Sequence, residues 1–218
     1  MRKLLFAFAL LMYGNLSAQE FDRVFVFLNV NPNKEILSED SVKTLMDGHF
    51  NNMARLGTEG KLINAGPFEG GGGLFVMNSP SVDTVKHWLQ TDPAVEANRW
   101  IIELYPFTTT EGGSCVVGAE YEMILYQFVR YSPSNEIANY KSSANTGKHL
   151  TTKELISKLK EDEGLIMAGH FTSNEGGVLV LKDKPSLETI KSSNLANSGT
   201  ISFNFKELWI AKGSFCED

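Results

Sequence analysis

Apolar positions along the chain switch between the strand period and the helix period, and the same succession occurs twice. Residues 23–30 form a β-branched and aromatic run closed by Asn31-Pro32-Asn33, which predicts a strand and a turn. Val42, Leu45, Met46, Met53 and Leu56 then recur at helical spacing, with Ser38 or Asp40 to cap the start and Gly57 and Gly60 flanking the end. Residues 62–65 and 74–77 read as short strands. Pro80-Ser81 opens a second helix carrying Val82, Val85, Trp88 and Leu89, and residues 100–107 return as a strand. The second half predicts a strand at 121–131 and a helix at 151–161 with Leu155, Ile156 and Leu159 inward. Strands at 165–168 and 178–181 follow, then a shorter helix after Pro185 and a closing strand at 201–211.

The two halves also match in sequence, with a period near one hundred residues, about the size of one small domain. Ala65-Gly66-Pro67-Phe68 pairs with Ala168-Gly169-His170-Phe171, and Gly72-Gly73-Leu74-Phe75-Val76-Met77 with Gly176-Gly177-Val178-Leu179-Val180-Leu181. Pro80-Ser81-Val82-Asp83-Thr84-Val85-Lys86 pairs with Pro185-Ser186-Leu187-Glu188-Thr189-Ile190-Lys191, and Glu103-Leu104-Tyr105 with Glu207-Leu208-Trp209. Each half therefore reads as βαββαβ, over residues 21–108 and 120–212, with a Thr- and Gly-rich linker at 109–119. Residues 24–28, 74–77 and 178–181 are continuously apolar, whereas a strand with water on one face alternates. Helices can cover one face of each four-stranded sheet, and the other half's sheet can cover the second. The expected fold is α+β: two ferredoxin-like units packed sheet to sheet as an internal pseudo-dimer.

The first 18 residues change the compartment. Arg2 and Lys3, the apolar stretch 4–12 and Leu16-Ser17-Ala18 have the three parts of a secretory leader cleaved near Ala18, too short to span a bilayer. The expected location is periplasmic or secreted, and nothing later in the sequence is a candidate membrane span. The formal net charge is −6 and becomes −8 without Arg2 and Lys3, which disfavours nucleic acid and anionic membranes as partners. Two cysteines remain, Cys115 and Cys216, each just past the last strand of its half. Export permits a disulfide between them, tying the halves together. Free thiols or an intermolecular bridge are the alternatives.

The stretch from His49 to Leu56, followed by Gly60-Lys61-Leu62-Ile63-Asn64-Ala65-Gly66-Pro67-Phe68 and later by Asp92-Pro93-Ala94-Val95-Glu96-Ala97, resembles the YCII-related domain. The second half resembles it only through its repeat relation to the first. The resemblance implies a dimeric α+β barrel of ferredoxin-like units, here built from one chain. It also implies a His and an Asp as a catalytic pair acting on a small molecule. The family histidine falls on His49. The family aspartate follows Gly-Pro, where this chain offers Glu69, so the implied pair is His49 with Glu69. In the second half Gly-Pro is replaced by Gly169-His170 and the acid nearest the glycine pair is Glu175. Thr152 stands at the offset of His49. His170 and Glu175 are therefore secondary binding candidates in an altered site.

His49 shares the inward face of its helix with Val42, Met46, Met53 and Leu56, so packing and catalysis are both open to it. A carboxylate partner fixes the tautomer of a histidine and makes it a usable general base near neutral pH. Gly70 to Gly73 joins two strands and lacks the Gly-Lys-Ser/Thr ending of a phosphate loop, so a hairpin explains it. His49, His87, His149 and His170 show no metal-ligand spacing, and no cofactor is expected, haem included. No Gly-x-Ser-x-Gly elbow occurs. Two functions fit these residues: an exported module binding a small molecule or partner without catalysis, and a small-molecule lyase or hydrolase using His49 with Glu69. Substrate and further oligomerisation stay undetermined at this level.

Overall fold

The computed structural model describes residues 23–133, 151–172 and 175–216. The leader at 1–18 and His149 lie outside the described residues. The first half runs β1 (Arg23–Val30), α1 (Glu39–Thr58), β2 (Leu62–Pro67), β3 (Gly73–Met77), α2 (Val82–Leu89), α3 (Pro93–Glu96) and β4 (Trp100–Glu111). After β5 (Gly113–Ser114), the second half runs β6 (Met123–Pro133), α4 (Thr152–Glu161), β7 (Leu165–Phe171), β8 (Gly177–Leu181), α5 (Lys184–Lys191), α6 (Asn194–Asn197) and β9 (Ile201–Ala211). β10 (Phe215–Cys216) ends the described chain.

The eight long strands form one antiparallel sheet in the order β2-β3-β1-β4-β7-β8-β6-β9. Within it each half repeats one strand order: second, third, first and fourth strand of its own unit, as in a ferredoxin-like βαββαβ fold. The α+β class and the two units match the sequence pattern.

The halves meet at two seams of unequal strength. At one, β4 continues past its own unit and pairs with β7, setting Phe107 opposite Phe171 and Thr109 opposite Gly169. The segment expected to be a linker thus begins as strand, because its Thr-rich residues satisfy their backbone groups on the edge of the second unit. At the other, β2 and β9 touch through a single bridge between Phe68 and Leu208, and the Glu69 amide donates to the Glu207 carbonyl at 2.9 Å. Matched glycines sit at both seams. A Cβ on Gly169 would come within 2.2 Å of the Phe107 ring, and one on Gly66 within 2.5 Å of the Trp209 carbonyl oxygen. The repeated Ala-Gly motif is where the other half's strand passes.

Continuous apolar runs follow from this arrangement. Phe25 and Phe27 point into the space between the half-sheets, where Phe68, Phe107, Phe128, Phe171, Val180 and Leu208 join them in one buried cluster. Val24, Val26 and Leu28, at alternate positions of β1, pack outward under α1 and α2 with Leu56, Val85 and Leu89. The second half repeats the outer layer with Val129, Leu155, Leu159, Leu179 and Ile190. Burying each such side chain contributes about 1.5–3 kcal/mol.

One repeat match is out of register. Leu74 and Val178 are equivalent, and through them Phe27 corresponds to Arg130. Phe27 faces Glu103 on β4, while Arg130 faces Asn204 on β9. The fourth block is therefore displaced by three residues between sequence and space. An odd displacement exchanges the two faces of a strand. Tyr105 accordingly packs against the inner cluster, whereas Trp209 lies on the outside and is half exposed.

Cys115 and Cys216 are bridged, with Cα atoms 5.9 Å apart. β5 pairs with β10, and the Cys115 amide donates to the Ser214 carbonyl at 2.9 Å, so the bridge fastens the segment after β4 to the segment after β9.

Candidate functional site

α1 begins at the Ser38 N-cap, whose hydroxyl accepts from the Ser41 amide at 3.2 Å, and carries His49 roughly three turns further along its inward face. His49 is 5% exposed. Its Nδ1 is 2.7 Å from Oδ2 of Asp92, a residue with no exposed surface. Asp92 stands before Pro93 as the N-cap of α3, and its Oδ1 accepts from the Ala94 and Val95 amides at 2.9 and 3.3 Å. The two carboxylate oxygens are thus divided between a helix terminus, which Oδ1 closes, and an imidazole, which Oδ2 holds. Gly48 allows the approach, since a Cβ there would lie 2.8 Å from Cγ of Pro93.

A second layer fixes the pair. Asn52, one turn after His49, points Nδ2 at Asp92 Oδ2 from 3.4 Å. Its Oδ1 accepts from Arg55 Nη2 at 2.8 Å and from the Thr91 hydroxyl at 2.9 Å. Arg55, which the sequence places on a different face from His49, acts on it through Asn52. A carboxylate offers only acceptors, so the bond to Asp92 calls for a proton on Nδ1 and leaves Nε2 as the basic nitrogen. The imidazole is enclosed by aromatic rings, with centroids 4.7 Å from Trp100, 5.9 Å from Phe75 and 5.5 Å from Phe50.

His49 lines a groove of about 690 Å³. One wall is Met46, Met53 and Phe75 of the first half; the other is Trp209, Met123 and Tyr121, beyond the loose β2–β9 seam. The seam's single bridge leaves space there that the paired β4–β7 seam does not. Most of the lining is apolar, with His49, Asn64 and Ser214 among its few polar side chains. Asn64 Nδ2 donates to the Ser214 carbonyl at 2.7 Å, tying the groove floor to the disulfide segment.

Glu69 is not the partner of His49. It lies at the β2–β3 turn, on the seam, where its carboxyl shares a hydrogen bond with Glu207; Gln127 Nε2 also donates to Glu207 at 3.1 Å. The turn after Gly66-Pro67 carries its acid toward β9 and away from α1. The bond to Glu207 and the repulsion beside it raise the Glu69 carboxyl above its ordinary value of 4.5, while Glu207 is lowered. A raised value means the stability from protonated Glu69 is full below 4.5 and is lost as pH rises through the folded value. Glu69→Gln keeps an N–H donor on Glu207 at every pH. Its urea midpoint should therefore match wild type in acid and exceed it at neutral pH; equal midpoints throughout would remove the seam from the pH response.

His170 is half-buried on β7 opposite Thr108 and Gly177, and Glu175 is exposed in the β7–β8 turn. Neither lines this groove. Thr152 begins α4 behind a Thr151–Glu154 capping box. Among the described residues no group of three His, Cys, Asp or Glu is arranged to hold a metal ion, and no helix is long and apolar enough to cross a membrane.

Residues 23–108 match the YCII-related domain. That span runs from β1 to β4 and contains His49, Asp92 and the whole first wall of the groove. The rest of the groove, from Val117 to Ser214, lies outside the YCII-related span. No curated protein matches the chain. Among solved structures, a candidate monooxygenase from Fusobacterium nucleatum subsp. nucleatum ATCC 25586 is similar at 10% identity and a TM-score of 0.42. The likeness covers 90% of this chain and 93% of that one.

Proposed function

We propose that the protein is an exported YCII-type protein acting on a small, largely apolar molecule, with His49 as its general base. The observation that carries this reading is the buried 2.7 Å contact between His49 and Asp92 at the wall of an apolar groove. A ligand hydroxyl, or an activated C–H, delivers its proton to Nε2, and Asp92 stabilises the imidazolium that results. Aromatic walls exclude water and bind the ligand body. The aspartate missing after Gly66-Pro67 disfavours catalysis in the sequence, and Glu69 there turns to Glu207; Asp92 supplies the carboxylate from another element.

The test is a thermal-shift screen of small lactones, esters and activated carbonyl compounds, followed by turnover of each stabilising compound. A ligand at a hundredfold its Kd raises stability by about 2.7 kcal/mol. His49→Gln should lower turnover by about 10²–10⁴-fold while leaving the unliganded melting temperature near wild type. Binding by wild type without turnover would return the protein to a binding module; equal turnover by His49→Gln would end the general-base assignment.

Export is supported by the leader-like residues 1–18 and by the Cys115–Cys216 bridge, which persists in an oxidising compartment. Mass spectrometry of protein recovered from its host envelope or medium should find an N-terminus close to Gln19, and an intact Met1 would refute cleavage. Descent of the two halves from one duplicated unit is supported by their common strand order and by the two glycine-containing strand blocks, which keep the same cross-strand register.

A further inference from the structure

A second cavity, of about 330 Å³, opens between the half-sheets against their shared apolar core, and it shares no lining residue with the His49 groove. Its floor is aromatic: Phe27, Phe68 and Phe128, all at most 5% exposed. Its wall is polar and cationic. Arg130 lies over the Phe27 and Tyr105 rings at 4.6 and 4.7 Å, and its Nη2 donates to the Tyr105 hydroxyl at 2.6 Å and pairs with Glu103 at 2.8 Å. Asn29 Nδ2 donates to the same carboxylate at 2.7 Å. Burial pushes the Glu103 carboxyl up, but its bonds from Arg130, Tyr105 and Asn29 together hold it below the usual range. Glu103 is therefore an anion, and it matches the charge of Arg130.

Lys206 is the cation left over. Its Nζ stands 4.9 Å from the Phe68 ring centroid, and no carboxylate among the described residues lies within ion-pair distance of it. Equivalent strand rungs of the two halves differ in charge. Phe25 facing Tyr105 corresponds to Phe128 facing Lys206, and Phe27 facing Glu103 to Arg130 facing Asn204. Two positive side chains occupy this mouth in a chain of net charge −6, beside the hydroxyls of Ser132 and Ser202.

We propose that this mouth is a binding site for a small aromatic or short-chain carboxylic acid, its apolar body on the Phe27, Phe68 and Phe128 floor and its carboxylate on Lys206. Asn204 and the two serine hydroxyls supply hydrogen bonds to the second carboxylate oxygen. Arg130, already satisfied and stacked, fixes the wall and adds its field.

The test is titration of the full chain with benzoate, followed by amide chemical shifts. Wild type should bind saturably, with shifts at β6 and β9. Lys206→Met should bind about tenfold more weakly, as expected for loss of one charge-assisted bond, and Lys206→Arg should restore most of the affinity. Benzamide, equal in shape but neutral, should not compete. His49→Gln should bind like wild type, which separates this site from the groove whatever the fate of the general-base reading. No saturable binding, equal affinity in Lys206→Met, competition by benzamide, or loss in His49→Gln would each overturn the proposal.

Discussion

Two small changes are each expected to lower the melting temperature by about 5–15 °C, and the first replaces Asp92 by alanine. The substitution removes the N-cap of α3, at about 1 kcal/mol. It also strips the buried His49 Nδ1 of its acceptor, at about 1–3 kcal/mol. In a chain of this length each kcal/mol corresponds to roughly 2–4 °C. Asp92→Asn separates the two losses. Its side-chain oxygen can still accept from the Ala94 and Val95 amides, but its amide group cannot accept from the His49 ring. Asn should therefore retain much of the stability while losing most of the turnover. A melting temperature unchanged in Asp92→Ala would mean that the pair is not formed in solution.

Loss of the Cys115–Cys216 bridge is the second. It closes a separation of 101 residues, and constraining a loop of that size stabilises by about 2–5 kcal/mol. The double variant Cys115→Ser/Cys216→Ser should melt about 5–15 °C below wild type, and reduction of wild type should give the same curve. The groove should respond as well, because Ser214, two residues from Cys216, receives the Asn64 hydrogen bond. Weaker ligand binding in the double variant at a temperature where it stays folded would show that coupling. Wild-type protein that reacts with iodoacetamide without prior reduction, and melts like the variant, would mean that the thiols are free.

Much of the architecture was legible because period and punctuation agreed. The closing strand was bounded correctly by Ile201 and Ala211, and the continuous apolar runs at β1, β3 and β8 pointed to coverage on both faces. The site was half legible. His49 stood out as a polar residue on an apolar helix face, and so did the cysteines as a pair. Its partner was misassigned to Glu69 because sequence distance from Gly66-Pro67 says nothing about where a hairpin turn aims its acid. Asp92 did carry a local signal: an Asp before Pro93 is an N-cap signature, and capping leaves one carboxylate oxygen free for a second partner. The displaced fourth block had no such signal. Glu103-Leu104-Tyr105 and Glu207-Leu208-Trp209 look alike, and only hydrogen-bonded register reveals that their faces are exchanged. Arg130 and Lys206 likewise read as ordinary strand charges until the two half-sheets are set face to face.

That both halves belong to one polypeptide has a consequence for stoichiometry. Two identical subunits around a dyad must present every feature twice, so any change to one surface is made to its mate. Here His49 faces Trp209 across one seam, and no second histidine is obliged to face a second tryptophan across the other. A ligand in the groove should thus saturate at one per chain, and cooperativity between equivalent sites has nothing to act on. The inner face is released from the same constraint: Phe27 and Arg130 occupy equivalent positions yet stack on one another at 4.6 Å, a contact that a symmetric pair could make only as like on like.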